Sequence, residues 1–111
     1  MSNTLSQFTT ADLTIASGAA TSSVFRVAEF NRGSIQLPAE ITGTSYTLEV
    51  SNDGTTWDGL KTAAGAAVAA VNWAASDILP LPSSVFDAMW ARVVSQANEA
   101  ADRALKVLLK G

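Results

Sequence analysis

Residues 45–60, S-Y-T-L-E-V-S-N-D-G-T-T-W-D-G-L, constrain the fold more than any other stretch of this chain. Tyr46, Leu48 and Val50 alternate with Thr47 and Glu49, the period-2 pattern of a strand with one buried face. Ser51-Asn52-Asp53-Gly54 is then a turn signal, because Asn and Asp tolerate positive φ and Gly adopts it without steric cost. Thr55-Thr56-Trp57 restarts an extended segment with β-branched and aromatic residues, and Leu60 follows as a core contact. The stretch predicts a β-hairpin anchored by Trp57 in the core.

Similar signals recur along the chain. Leu13-Thr14-Ile15 alternates and stops at Ser17-Gly18. Phe25 and Val27 share one face of the next segment, with Val24 and Arg26 on the other. Asn31-Arg32-Gly33 is a turn, and Ser34-Ile35-Gln36-Leu37 is a strand ended by Pro38, which cannot donate to a ladder. Ile78-Leu79-Pro80-Leu81-Pro82 is extended, because each Pro pushes its predecessor toward β or polyproline geometry. One helical turn is expected near 83–88, capped by Ser83 or Ser84. In residues 89–95, Trp90, Arg92 and Val94 face one way and Met89, Ala91 and Val93 the other, so this strand is expected to be covered on both sides. Two Ala-rich regions pull toward helix on propensity alone. Residues 62–75 read as a loop and a short strand, given Gly65 and the β-friendly Val68, Val71 and Trp73. Residues 97–110 suit either a helix or a strand with alternating Leu105, Val107 and Leu109; if a strand, residues 96–102 are its hairpin loop. The expected fold is all-β: an antiparallel β-sandwich, jelly-roll-like, of about eight short strands.

Little in the chain suits catalysis. It has no Cys and no His, which removes disulfides, thiolates, and the commonest catalytic base and metal ligand. Asp53 and Asp58 flank the hairpin, and Asp77 and Asp87 the Pro-rich segment, where turns and caps want Asp for backbone reasons. The segment from Glu49 to Asp53 lacks the ligand spacing of a calcium loop. No phosphate-binding loop or nucleophile elbow appears. The expectation is a non-enzymatic protein with no cofactor and no metal. Charged residues are 15% of the chain, against about 25% on average, which suits a protein packed against neighbours. The net charge of −3 argues against nucleic acid or an anionic membrane as the main partner. Residues 63–75 are too short and weakly apolar to span a bilayer, and the first ten residues lack a signal peptide's pattern, so synthesis as a soluble cytosolic chain is expected. Trp57, Trp73 and Trp90 are core or subunit-interface side chains if buried, and platforms for sugar rings if exposed.

Several segments resemble small β-sandwich structural proteins of tailed bacteriophages. They are the strand "I-x-L-P" at Ile35-Gln36-Leu37-Pro38, the hairpin "G-T-x-x-T-L-E-V-S-x-D-G-T-T-W" from Gly43 to Trp57, and the turn "L-P-x-x-x-F" from Leu81 to Phe86. Trp90-Ala91-Arg92-Val93-Val94-Ser95 and a basic final strand from Arg103 to Lys110 complete the pattern. The resemblance spans about residues 24–111 and implies strand rather than helix for 103–109. It further implies a virion protein; together with the low charge and the two-sided strands, it leads to the expectation of a capsid cement or decoration protein that bridges capsid subunits, as a homotrimer whose partners are the major capsid protein or other virion proteins. A tail, head-fibre or baseplate component, or a carbohydrate- or receptor-binding module, is the alternative. Residues 1–11 are expected to form an extended arm, with Leu5 and Phe8 pinning it to the body or a neighbour, and residues 12–111 a single sandwich domain. Trp73, Trp90 and Arg92 complete the expected interface.

Overall fold

The computed structural model describes residues 8–111. Its strands are β1 (Phe8–Ile15), β2 (Thr21–Arg26), β3 (Arg32–Gln36), β4 (Ser45–Ser51), β5 (Asp58–Gly59), β6 (Val71–Asn72), β7 (Ile78–Pro80), β8 (Trp90–Ser95) and β9 (Arg103–Lys110), with a 3-10 turn over Ser83–Asp87. Every pairing is antiparallel. β1 pairs with β9, β2 with β8, β3 with β7 and β4 with β5, so the chain runs as a long ribbon doubled back at the β4–β5 hairpin. Curling that ribbon sets β3 beside β9 and β4 beside β8. The result is two layers, β1-β9-β3-β7 and β2-β8-β4-β5, the second with β6 also paired to β4, joined at a corner by Ile15 opposite Ser22. This is the strand order of a jelly roll, as the turn spacing predicts.

The inner faces of both layers supply one core. Leu13, Ile15, Ile35, Leu105, Val107 and Leu109 from the first meet Phe25, Tyr46, Leu48, Ala91 and Val93 from the second. The alternation predicted for β8 and β9 is what puts these residues inside and Lys106, Lys110 and Arg92 outside. Residues 103–110 are strand despite their helix propensity, because Leu105, Val107 and Leu109 fill the core only at a spacing of two. Within residues 62–75, the other Ala-rich region, a loop leads to β6, which pairs with the same strand as β5.

Residues 8–11 of the expected arm belong to β1, described from Phe8, and pair with β9; residues 1–7, including Leu5, lie outside the described residues. Three expectations change. The returning strand of the central hairpin is Asp58–Gly59, not Thr55-Thr56-Trp57. The 3-10 turn is capped by Pro82 without any side-chain hydrogen bond, rather than by a serine. Residues 96–102 form no hairpin loop: β8 and β9 lie in different layers, and the segment crosses between them.

That crossing carries a buried carboxylate. Glu99 is 1% exposed and accepts hydrogen bonds from the Thr42 amide (2.7 Å), the Gly43 amide (2.9 Å), the Ser95 hydroxyl (2.9 Å) and Arg103 Nε (3.0 Å). Its backbone also bonds the β1–β2 loop, through its N–H to Ala19 and its carbonyl from Gly18. Three loops at one end of the sandwich are thus tied to one residue. Gly43 permits the close approach, since a β-carbon there would collide with Ser95 Oγ and stand 3.3 Å from Glu99 Oε2. Burial alone would raise the Glu99 pKa, but the four donors outweigh it and lower the pKa to about 2.

Tyr46 shows the opposite situation. Its ring is fully buried and its hydroxyl has no hydrogen-bond partner among the described residues, and burial pushes its pKa up to about 12. An unpaired buried hydroxyl costs about 1–3 kcal/mol. Tyr46→Phe is therefore expected to hold or raise the melting temperature; a clear fall in thermal denaturation would mean that the hydroxyl is bonded.

Candidate interaction surface

The outward face of β2, β8 and β4 gathers the polar and aromatic side chains that the core rejects. Register places Arg92 between Val24 and Glu49, and Trp90 between Arg26 and Ser51, all on this face. Directly opposed side chains across adjacent strands touch. Arg92 accordingly forms an ion pair with Glu49, Nη2 to Oε1 at 2.7 Å, and donates from Nε to the same oxygen at 2.7 Å. Its guanidinium also lies 4.3 Å from the centroid of the Trp57 ring. One row over, the Arg26 guanidinium stands 5.3 Å from the Trp90 ring centroid and pairs with Glu29 at 3.2 Å.

The hairpin turn holds Trp57 in place. Asp53 accepts from the amides of Thr55 and Thr56, both at 2.8 Å, and from the Ser51 hydroxyl at 2.9 Å. The Thr56 and Thr55 amides, with Ser51, hold its carboxyl well below the usual range. Gly54 takes φ +82°, the left-handed conformation that the turn demands. Asn52 Oδ1 accepts the Met89 amide at 3.1 Å, fastening the turn to the start of β8.

An open depression of about 430 Å³ beside the turn includes Asp53 and Asp58 in its lining. Both carboxylates are engaged: Asp53 with the turn, and Asp58 with Lys61 Nζ at 2.7 Å and the Gly59 amide at 2.9 Å. The ammonium of Lys61 lowers the Asp58 pKa. Among the described residues, no group of three or more His, Cys, Asp or Glu is placed to hold a metal ion. The arrangement offers two half-buried tryptophans, each beside a guanidinium whose charge a glutamate balances. Trp and Arg held rigidly in this way are the residue types that anchor protein interfaces.

The expected site residues scatter. Trp90 and Arg92 come together here. Phe8 is exposed on the outer face of the opposite layer, across from Lys110. Trp73 is 5% exposed and belongs to the core: it stacks on Tyr46 with centroids 5.1 Å apart, and its Nε1 donates to the Gly43 carbonyl at 2.7 Å. Trp57, expected in the core, is half-buried on the outer face. Glu49 and Arg26 are not singled out by sequence: Arg92 and Trp90, which they meet on this face, lie on another strand, and only the register brings them together.

The fold defines an antiparallel jelly-roll domain. Among solved structures, the chain is similar to the crystal structure of the SPBc2 prophage-derived protein YomS, with a TM-score of 0.70 over 100% of this chain and 99% of that one, at 9% sequence identity. At that identity the likeness is one of fold. No family model matches the sequence, and no curated protein matches it.

Proposed function

We propose that this chain is a non-enzymatic structural protein of a tailed-phage virion, a capsid cement or decoration protein that bridges neighbouring capsid subunits. The observation that carries the reading is the end-to-end fold likeness to a prophage-derived protein, which joins the motif resemblance noted in the sequence. The low charge content supports it, as does the rigid Trp–Arg surface on β2-β8-β4. A head filled with DNA is under outward load, and area buried across subunit seams raises the cost of opening them. One standard interface buries about 1,600 Å², and repetition over a shell makes modest contacts collectively strong. A homotrimer at a symmetry axis would present such contacts to several subunits of the major capsid protein at once. The same likeness also supports a place in a tail, head fibre or baseplate. A sugar-binding role draws less support, because Arg92 lies against the Trp57 ring that would have to stack.

Particles assembled with and without the protein should differ on heating or shear. Those lacking it are expected to release their DNA at lower temperature or lower shear. Equal resistance of the two would overturn the cement role.

A further inference from the structure

The chain has seven Lys and Arg residues. Four of them, Arg26, Lys61, Arg92 and Arg103, form ion pairs. The other three, Arg32, Lys106 and Lys110, form none with the described carboxylates, and residues 1–7 contain no Asp or Glu. All three project from one surface. Register puts Arg32 opposite Lys110, and Lys106 between Asp12 and Gln36, on the outer face of β1-β9-β3-β7. Asp12 is the one carboxylate of these four strands that shares the face, leaving it two positive charges in excess. The rest of the chain holds the other nine carboxylates against four cations. The molecule is therefore electrically two-sided, with its positive side on the layer opposite the Trp–Arg surface.

The same face carries Phe8 and Ile78, 69% and 64% exposed, the most exposed large apolar residues among those described. Phe8 stands across from Lys110, and Ile78 across from Gln36. Leu108 lies between them on β9, opposite Thr10 and Ser34. Apolar side chains ringed by charge are the composition of a protein interface, with an apolar centre and a polar rim.

We infer that the outer face of β1-β9-β3-β7 is a docking face for a carboxylate-bearing surface of another protein. Charge complementarity specifies the sign: three unpaired cations call for acids, and steer the approach of an acidic partner. Nucleic acid is the other polyanion. It is disfavoured because a phosphate backbone offers nothing to Phe8, Ile78 or Leu108, and because the nine remaining carboxylates repel it. The inference names a partner chemistry for the structural role proposed above, yet its test needs no particle.

Binding of fluorescently labelled poly-L-glutamate to the full chain, followed by anisotropy at low and moderate salt, is the test, with a labelled DNA duplex as the second probe. The wild-type chain is expected to bind poly-glutamate in a salt-sensitive manner. The combined Arg32→Gln, Lys106→Gln and Lys110→Gln variant is expected to bind roughly tenfold or more weakly at low salt. Lys61→Gln, which removes a paired cation elsewhere, should stay within about twofold of wild type. Phe8→Ser on its own should weaken poly-glutamate binding far less than the triple variant, since that probe reads charge. Equal affinities of the triple variant and the wild type would overturn the docking face, as would tighter binding of the duplex than of poly-glutamate. Either failure leaves the particle role standing, because that role is read from DNA release rather than from this face.

Discussion

Glu99→Ala is expected to destabilise the domain by about 3–5 kcal/mol, the usual cost of removing one partner from a buried ion pair. The substitution strands the Thr42 and Gly43 amides and the Ser95 hydroxyl, and it leaves Arg103, 12% exposed at its side chain, without the carboxylate it bonds at 3.0 Å. Glu40, the other acid near Arg103, is 3.8 Å away and largely in solvent, so it cannot compensate. On a domain whose total stability is typically 5–15 kcal/mol, this is a loss visible in any denaturation curve. Glu99→Gln should cost less but still clearly destabilise, because an amide has one accepting oxygen where the carboxylate uses two.

The same carboxylate makes the domain acid-sensitive. Its pKa falls from an ordinary 4.5 to about 2 on folding. A depressed carboxylate stabilises the fold fully above its unfolded pKa, and the contribution disappears as the pH drops from about 4.5 through about 2. A shift of this size corresponds to roughly 3 kcal/mol. Urea denaturation between neutral pH and pH 2 should therefore show a falling stability for the wild type and a visibly flatter profile for Glu99→Ala. Parallel profiles would remove Glu99 from the account of the fold. Asp53 and Asp58 are also lowered, by the turn amides and by Lys61, so some slope should remain in the variant.

Trp73→Ala is the second large effect, expected at about 3–5 kcal/mol. The substitution empties a core site against Tyr46 and removes the donor from the buried Gly43 carbonyl. Trp57→Ala should cost far less, because that ring is half-buried on the outer face. Guanidinium denaturation of the two variants side by side is the check. A mild loss for Trp73→Ala with a severe one for Trp57→Ala would reverse the structural assignment of the two rings.

That contrast also marks what the sequence can and cannot convey. Strand positions are legible because alternation is local: Leu105, Val107 and Leu109 identify a core face whatever they pair with. The placement of the tryptophans is not local. The β4–β5 pairing sets Gly59 opposite Glu49, which brings Trp57 onto the outward row beside Arg92, and a slip of one residue would have reversed it. Trp73 sits just past β6, where its depth depends on how close Gly43 comes. Glu99 was the least legible of all. It lies in an Ala-rich run that suits a helix, and its amide partners are more than fifty residues away in sequence. The Trp90–Arg92 alternation was visible, but Glu49 and Arg26 join it only through the β4–β8 and β2–β8 registers.

In the role proposed above, this jelly roll would bridge subunits of a phage shell. A reconstruction of purified particles at a resolution that separates strands tests it most directly. The expected result is two layers of β density, ordered β1-β9-β3-β7 and β2-β8-β4-β5, repeated over the capsid exterior and spanning the seams between neighbouring subunits. Particles whose shells carry no such density, with the protein absent from their composition, would contradict it.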